Sequence, residues 1–238
     1  MGVTSRRFAV SVAGDEVVGV LHLPASTPSP CVVACHGMGA SKDSEKYLLL
    51  GREFPAAGLA LARFDFRGSG ESGGRYAEAT IATRIADLEA VLDHLAKQPE
   101  LEGRFGLLGS SLGGFVALWV AASRPGLAVV TWNAPADLRD LRAPDPDDPG
   151  GPGAALVAEV PAGRHAEAPG TSHILIIQAE RDDVVPPAHG RLLYERCRPP
   201  RELAVLAGAD HRLLEPAHRL DALEKSRRWF LRHLSPEP

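Results

Sequence analysis

Ser111 lies in the run Leu107-Leu108-Gly109-Ser110-Ser111-Leu112-Gly113-Gly114, with one glycine two residues before it and another two after. A serine hydroxyl becomes a useful nucleophile only when a base removes its proton, so the question is whether this spacing presents one for that purpose. Arg104 to Leu108 reads as a strand, and Leu112 to Arg124 as a helix that is apolar almost all round and therefore buried. The serine then falls on a strand-to-helix turn. Such a turn leaves no room for side chains at 109 and 113, forces strained backbone at 111 and exposes its hydroxyl. The helix that follows starts with free N–H groups at the same spot, where an oxyanion could sit. Ser110 does not fit this register, because Leu108 stands two residues before it. The pattern is the G-x-S-x-G nucleophile elbow, and a pentapeptide this short needs partners elsewhere in the chain.

A serine nucleophile calls for a base, and the base for an orienting carboxylate. Gln178-Ala179-Glu180-Arg181-Asp182-Asp183-Val184-Val185-Pro186 leaves a strand end carrying three acids. Further on, Leu206-Ala207-Gly208-Ala209-Asp210-His211 leaves the last strand through a glycine turn. The order serine, acid, histidine is the one an elbow-type triad requires.

The elements that must position these groups can be read in turn. Arg7–Val12 and Glu16–Leu23 alternate around Ala13-Gly14-Asp15, which is a hairpin signal. Cys31–Cys35 is a continuous small apolar run, as in a strand covered on both faces, and it ends in His36-Gly37-Met38-Gly39. Ser44–Ala57 fits a helix with Tyr47, Leu48, Leu50, Gly51 and Phe54 on one side. Leu59–Phe64 is a strand running into Asp65-Phe66-Arg67-Gly68-Ser69-Gly70-Glu71-Ser72. Ile81, Ile85, Leu88, Leu92 and Leu95 recur at helical spacing. Leu127–Trp132, His173–Gln178 and Glu202–Leu206 read as strands, and Ala154–Val160 and Pro187–Cys197 as helices. A last helix, about Glu215–Leu234, is expected to turn Leu220, Leu223, Trp229, Phe230 and Leu234 inward. A hairpin followed by alternating strands and helices implies a mainly parallel sheet with helices on both faces. Ligands bind such sheets beyond the carboxyl ends of the strands, which is where the three chemical groups fall.

Composition narrows the function class. The chain has 238 residues, 45% hydrophobic and 24% charged, enough for a substantial core. A net charge of −4 without a basic, aromatic-laced patch argues against nucleic acid as a partner. No run of about 18 apolar residues is present, so no membrane span is expected. The polar start lacks a signal-type hydrophobic core, and the expectation is a cytoplasmic protein. Three cysteines, Cys31, Cys35 and Cys197, fit neither a zinc nor a disulfide spacing. Neither a metal cluster nor a cofactor-binding glycine loop competes with the serine, so no metal and no cofactor are expected.

Four features in order resemble the α/β-hydrolase superfamily over nearly the whole chain: His36-Gly37, Asp65-x-Arg67-Gly68-x-Gly70-x-Ser72, the elbow, and the Asp182/His211 pair. Within it the chain is similar to small carboxylesterases and feruloyl-esterase-like enzymes, close to serine-aminopeptidase-like hydrolases. The resemblance implies one domain over residues 1–238, with an eight-stranded, mainly parallel sheet, an N-terminal antiparallel hairpin and helices on both faces. It makes Ser111 the nucleophile, His211 the base and Asp182, four residues before Pro186, the orienting acid, with Asp183 as runner-up and Glu180 behind it. It also assigns the oxyanion hole to the backbone N–H groups of Met38 and Leu112, donors that contribute about 3–4 kcal/mol each, and puts the Met38 side chain either along the acyl pocket or in the core. His36 and the Asp65–Gly70 loop take structural roles in this reading, and Trp132 and Asn133 stand at the pocket edge or in the core.

Relatives often carry a helical cap between the strands ending at Trp132 and starting at His173. Here a short cap-like insertion at about 135–170 is rich in Pro, Asp and Gly and has few large apolar residues, so a well-packed lid is not expected. The resulting expectation is a serine hydrolase that cleaves small-molecule carboxylic esters through an acyl-enzyme, favouring short or compact aromatic acyl groups. A thioesterase, amidase or acyltransferase would use the same residues, and a non-catalytic hydrolase-fold binding protein is the remaining alternative. Oligomeric state is not legible.

Overall fold

The computed structural model describes residues 4–140, 153–160, 163 and 165–235. Strands β1 (Thr4–Val12) and β2 (Asp15–Leu23) form the expected antiparallel hairpin, turning through Ala13 and Gly14 at positive φ. Then come β3 (Ser29–Cys35), helix α1 (Glu45–Ala56), β4 (Ala60–Phe64), a 3-10 turn at Tyr76–Glu78 and helix α2 (Ile81–Leu95). β5 (Leu101–Ser110) and α3 (Leu112–Ser123) flank the elbow, followed by β6 (Ala128–Trp132), α4 (Ala154–Glu159), β7 (Ile174–Ala179), α5 (Ala188–Arg196), β8 (Arg201–Leu206) and α6 (Pro216–His233). The eight strands form one sheet in the order β1-β2-β4-β3-β5-β6-β7-β8, parallel from β4 onward across the sheet, as expected.

The period-2 alternation of the sheet divides the core into two layers. Cys31, Val33 and Cys35 of β3 face a cluster shared with α2, α3 and α5, while Val32 and Ala34 face one shared with α1 and α6. Burial on both sides explains why β3 to β7 are near-continuous apolar runs. The three cysteines are free and buried within this packing. Among the described residues no helix is long and apolar enough to cross a membrane.

Three sequence expectations need correction. Leu48 is 43% exposed and Leu220 is 53% exposed, so neither faces the core. In α6 the inward stripe runs Arg219, Ala222, Leu223, Ser226, Trp229, Phe230, and Leu220 stands one residue, about 100° of helix, off that stripe. The elbow strand begins at Leu101 rather than Arg104, because a register shift between Ser29 and Cys31 admits the intervening residues, including Gly103 at φ +81°. Most of the polar run from Pro135 to Gly153 lies outside the described residues. Of the neighbouring segment, α4 forms as expected and docks by Leu156, 4% exposed, and by Glu159, whose carboxylate accepts from the N-terminal amide of α2 at Ile81, 2.6 Å away.

Candidate active site

Sheet order puts the loops in place. β3 is the neighbour of β5, with Cys35 opposite Gly109, so the His36–Met38 loop leaves the sheet beside the elbow. β6, β7 and β8 follow on the other flank, and the loops after β7 and β8 carry Asp182 and His211.

At the elbow Ser111 has φ 53° and ψ −126°, a strained geometry costing about 1–3 kcal/mol that the surrounding packing must hold. That packing is tight. A Cβ on Gly109 would lie 2.4 Å from the Gly113 carbonyl oxygen, and one on Gly113 would lie 2.2 Å from the Cys35 carbonyl oxygen. Those approaches are the physical reason for glycine at 109 and 113. Gly37 is tight to a lesser degree: a Cβ there would stand 3.0 Å from the Ser110 carbonyl oxygen and 3.2 Å from Ser111 Cβ.

The structure brings Ser111, His211 and Asp182 together. His211 Nε2 lies 3.2 Å from Ser111 Oγ, and His211 Nδ1 lies 2.8 Å from Asp182 Oδ2. The Asp182 side chain is fully buried, and its Oδ1 accepts from the backbone N–H of Val184 at 3.0 Å and Val185 at 2.7 Å. With both oxygens engaged, the carboxylate is held on the Nδ1 side of the ring, leaving Nε2 to face the hydroxyl. Asp183 is exposed and takes no part in this chain of bonds, and Glu180 accepts from the Gly208 amide at 2.8 Å, bracing the turn that delivers His211. Asp210 accepts from the amides of Arg212 and Leu214 and shapes the same loop.

Leu112 N–H opens α3 next to Ser111, and Met38 N–H follows Gly37. Among the described residues neither amide has a protein acceptor, which leaves both able to meet an oxyanion. The Met38 side chain is half-buried against the core layer on the α2–α3 side.

Several residues gain a defined place that the sequence did not assign. Asn133, at φ 53°, donates from Nδ2 to the His211 carbonyl at 2.8 Å and accepts at Oδ1 from Ala179 N–H at 2.7 Å, tying the histidine loop to β7. An asparagine ending a strand, with its tolerance of left-handed backbone, was the available signal. Lys46 donates to Ser110 Oγ at 2.8 Å, beside the elbow, and burial lowers its pKa to about 8. Trp132 takes the core alternative of its two expected places, buried and donating to Ser226 Oγ at 2.9 Å.

His36 and the loop after β4 form scaffolding. His36 Nδ1 donates to the Gly37 carbonyl at 2.8 Å and Nε2 accepts from Phe66 N–H at 3.1 Å, an arrangement that needs a neutral ring. Burial is the main cause that lowers its pKa to about 4, which keeps it neutral. Asp65, fully buried, accepts from the Lys42 amide at 2.7 Å and pairs with Lys42 Nζ at 3.2 Å. Gly70 sits so close that a Cβ would lie 2.1 Å from that carboxylate. Arg67 pairs with buried Asp87 at 2.5 Å, while burial raises the Asp87 carboxyl above the usual range.

Comparison with known proteins follows the same lines. The family profile described as Hydrolase_4, serine aminopeptidase S33, matches residues 26–144. The protein Rv2307c of Mycobacterium tuberculosis, named as uncharacterized, is 28% identical over 200 residues, covering 82% of this chain and 69% of that one. The mouse palmitoyl-protein thioesterase ABHD10 is 32% identical over 97 residues, 41% of this chain and 31% of that protein. Its structure superposes with a TM-score of 0.80 at 21% identity, covering 97% of this chain and all (100%) of the other. Est1E of Butyrivibrio proteoclasticus, solved with ferulic acid, gives a TM-score of 0.80 at 17% identity over 96% of this chain and 100% of that one, a likeness of fold. Half the sequence matched to one family, on a sheet of this topology, carries the assignment: the chain belongs to the Hydrolase_4 (serine aminopeptidase, S33) family of α/β hydrolases.

Proposed function

We propose that the protein is a serine hydrolase that cleaves small-molecule carboxylic esters, with Ser111 as nucleophile, His211 as general base and Asp182 as its orienting acid. The observation that carries this reading is the continuous chain from Ser111 Oγ through the two nitrogens of His211 to the buried carboxylate of Asp182. Ser111 Oγ attacks the acyl carbon while its proton passes to His211 Nε2. The carbonyl oxygen becomes an oxyanion held by the N–H groups of Leu112 and Met38. His211 then protonates the departing alcohol, which leaves an acyl-Ser111 ester. Water, losing its proton to the same nitrogen, attacks that ester, and the acid departs as Ser111 regains its proton. No step needs a metal or cofactor.

Short or compact acyl groups are the proposed preference. A buried CH₂ contributes about 0.8 kcal/mol only where surface closes around it, and the cap-like insertion offers few large apolar residues to do so. Thioester cleavage is the second reading, favoured by the match of 97 residues to a protein named as a palmitoyl-protein thioesterase. Measuring kcat/KM for p-nitrophenyl esters from acetate to palmitate, alongside matched thioesters and anilides, tests both. The ester reading expects short-acyl esters to rank first. Higher values for thioesters, or a steady rise beyond about eight carbons, overturn it.

A further inference from the structure

The oxyanion donor Met38 stands in a stretch that makes few bonds of its own. β3 ends at Cys35 and α1 starts at Glu45. Among the described residues no hydrogen bond ties Met38, Gly39 or Ala40 to a neighbouring strand or helix. The place of the Met38 N–H is therefore set by whatever fixes the two ends of the stretch. The near end is held against the nucleophile and against the end of β4. A Cβ on Gly37 would stand 3.2 Å from Ser111 Cβ. His36 Nδ1 donates to the Gly37 carbonyl at 2.8 Å, and Nε2 accepts from Phe66 N–H at 3.1 Å.

The far end is Lys42, and every polar group of that residue is engaged. Its N–H donates to Asp65 Oδ1 at 2.7 Å, its carbonyl accepts from Arg63 Nη1 at 3.1 Å, and its ammonium lies 3.2 Å from Asp65 Oδ2. The ammonium also reaches Asp43 at 2.6 Å and Glu71 at 2.7 Å. Asp65 is itself fixed, because its N–H donates to the Val18 carbonyl at 2.9 Å and its Oδ2 accepts from the Glu71 amide at 3.0 Å. Both ends of the oxyanion stretch thus rest on Asp65 and Phe66, adjacent residues just beyond β4. The Lys42 side chain is 1% exposed, and lysine is almost never buried unless paired. Stability alone is a poor reason for such a pair, since apolar side chains of the same shape often serve as well or better. A direction imposed on a loop is a reason that apolar contact does not replace.

We propose that Lys42 is a positioning residue of the oxyanion hole, its clamp on Asp65 setting where the Met38 N–H stands relative to Ser111. The inference rests on the ester-hydrolase reading and adds to it the residue that holds one of its two oxyanion donors. Burial by itself lowers the Lys42 pKa, but Asp43, Glu71 and Asp65 together raise it above its ordinary value, so the ammonium stays charged in neutral solution. Oxyanion donors act only within a narrow range of distance, so a small shift of the loop is felt in the transition state.

The test compares wild type, Lys42→Met and the double variant Lys42→Met/Asp65→Asn on p-nitrophenyl acetate and p-nitrophenyl thionoacetate. The single variant leaves Asp65 as an uncompensated buried charge and is expected to lose stability. The double variant removes both charges, so it recovers much of the Tm and guards against a folding failure of the first. In both variants kcat and kcat/KM for the acetate are expected to fall together, by about 10- to 100-fold, as for an interaction made in the transition state. Sulfur is a weaker acceptor than oxygen, so a working oxyanion hole favours the oxygen ester. The ratio of kcat/KM for the oxygen ester over the sulfur ester is expected to drop about tenfold from its wild-type value in both variants. A double variant that regains kcat along with Tm, or a ratio unchanged from wild type, overturns the inference and leaves the ester reading standing. A wild-type protein that neither hydrolyses the acetate nor takes a fluorophosphonate on Ser111 defeats the ester reading and the inference with it.

Discussion

The side chain of Asn133 holds the backbone of His211: Nδ2 donates to the His211 carbonyl at 2.8 Å, while Oδ1 accepts from Ala179 N–H at 2.7 Å. The histidine loop is therefore fastened to β7, the strand from which the acid loop departs. Asn133 has φ 53°, so Asn133→Gly removes the tether while keeping a backbone that glycine adopts freely. A base displaced by about 1 Å can cost about 100-fold. The expected result is a fall of roughly 10- to 100-fold in kcat with KM little changed. Unaltered kcat in a folded Asn133→Gly variant would show that the loop is held by other means.

The two neighbouring acids should separate sharply. Asp182→Asn keeps the shape but favours the wrong imidazole tautomer, and is expected to depress kcat by about 10⁴. Asp183→Asn alters an exposed group and should leave turnover within about threefold. Steady-state kinetics on both variants decides the matter, and the reverse ranking would move the orienting role to Asp183.

Gly113→Ala should be more damaging than Gly103→Ala. A Cβ on Gly113 would lie 2.2 Å from the Cys35 carbonyl oxygen and 2.5 Å from that of His36, both backbone atoms with nowhere to go. At Gly103 nothing lies within 4 Å, and the cost is that of φ +81° alone, about 1–2 kcal/mol. Overpacking at Gly113 adds roughly 1–3 kcal/mol and shifts the oxyanion loop. In a chain of this size each kcal/mol is about 2–4 °C in Tm. Equal melting temperatures for the two variants would contradict the close approach.

Acid should weaken the fold before the carboxylates titrate. Burial is the main cause lowering both His22 and His36 from 6.5 to about 4. Between those values the unfolded chain binds protons that the folded chain excludes. The stability these groups contribute is thus complete above about pH 6.5 and is lost progressively as pH falls towards 4. Tm is expected to drop from pH 7 to pH 5, and His36→Asn to flatten that slope. A Tm that holds level or rises over this range contradicts the buried neutral histidines.

Much of this fold was legible because local pattern and final environment agree. The unbroken apolar run of β3 could only be a strand covered twice, and the Gly109-x-Ser111-x-Gly113 spacing has a steric cause visible in the contacts. Leu48 and Leu220 misled because residue type outweighed angular position: each is large and apolar, and each stands just off the buried stripe. Asn133 was illegible in its contacts for a different reason: its partner His211 is 78 residues away, a distance that leaves no period in the sequence.

The central claim is that Ser111, and not its neighbour Ser110, is the activated nucleophile. Ser110 Oγ is engaged by Lys46 at 2.8 Å, whereas Ser111 Oγ faces His211 Nε2 at 3.2 Å. Treatment with a fluorophosphonate, followed by peptide mass spectrometry, should find one stoichiometric adduct on Ser111, absent in Ser111→Ala and in His211→Ala and retained in Ser110→Ala. An adduct on Ser110, or full labelling and turnover in a folded Ser111→Ala variant, would contradict the account.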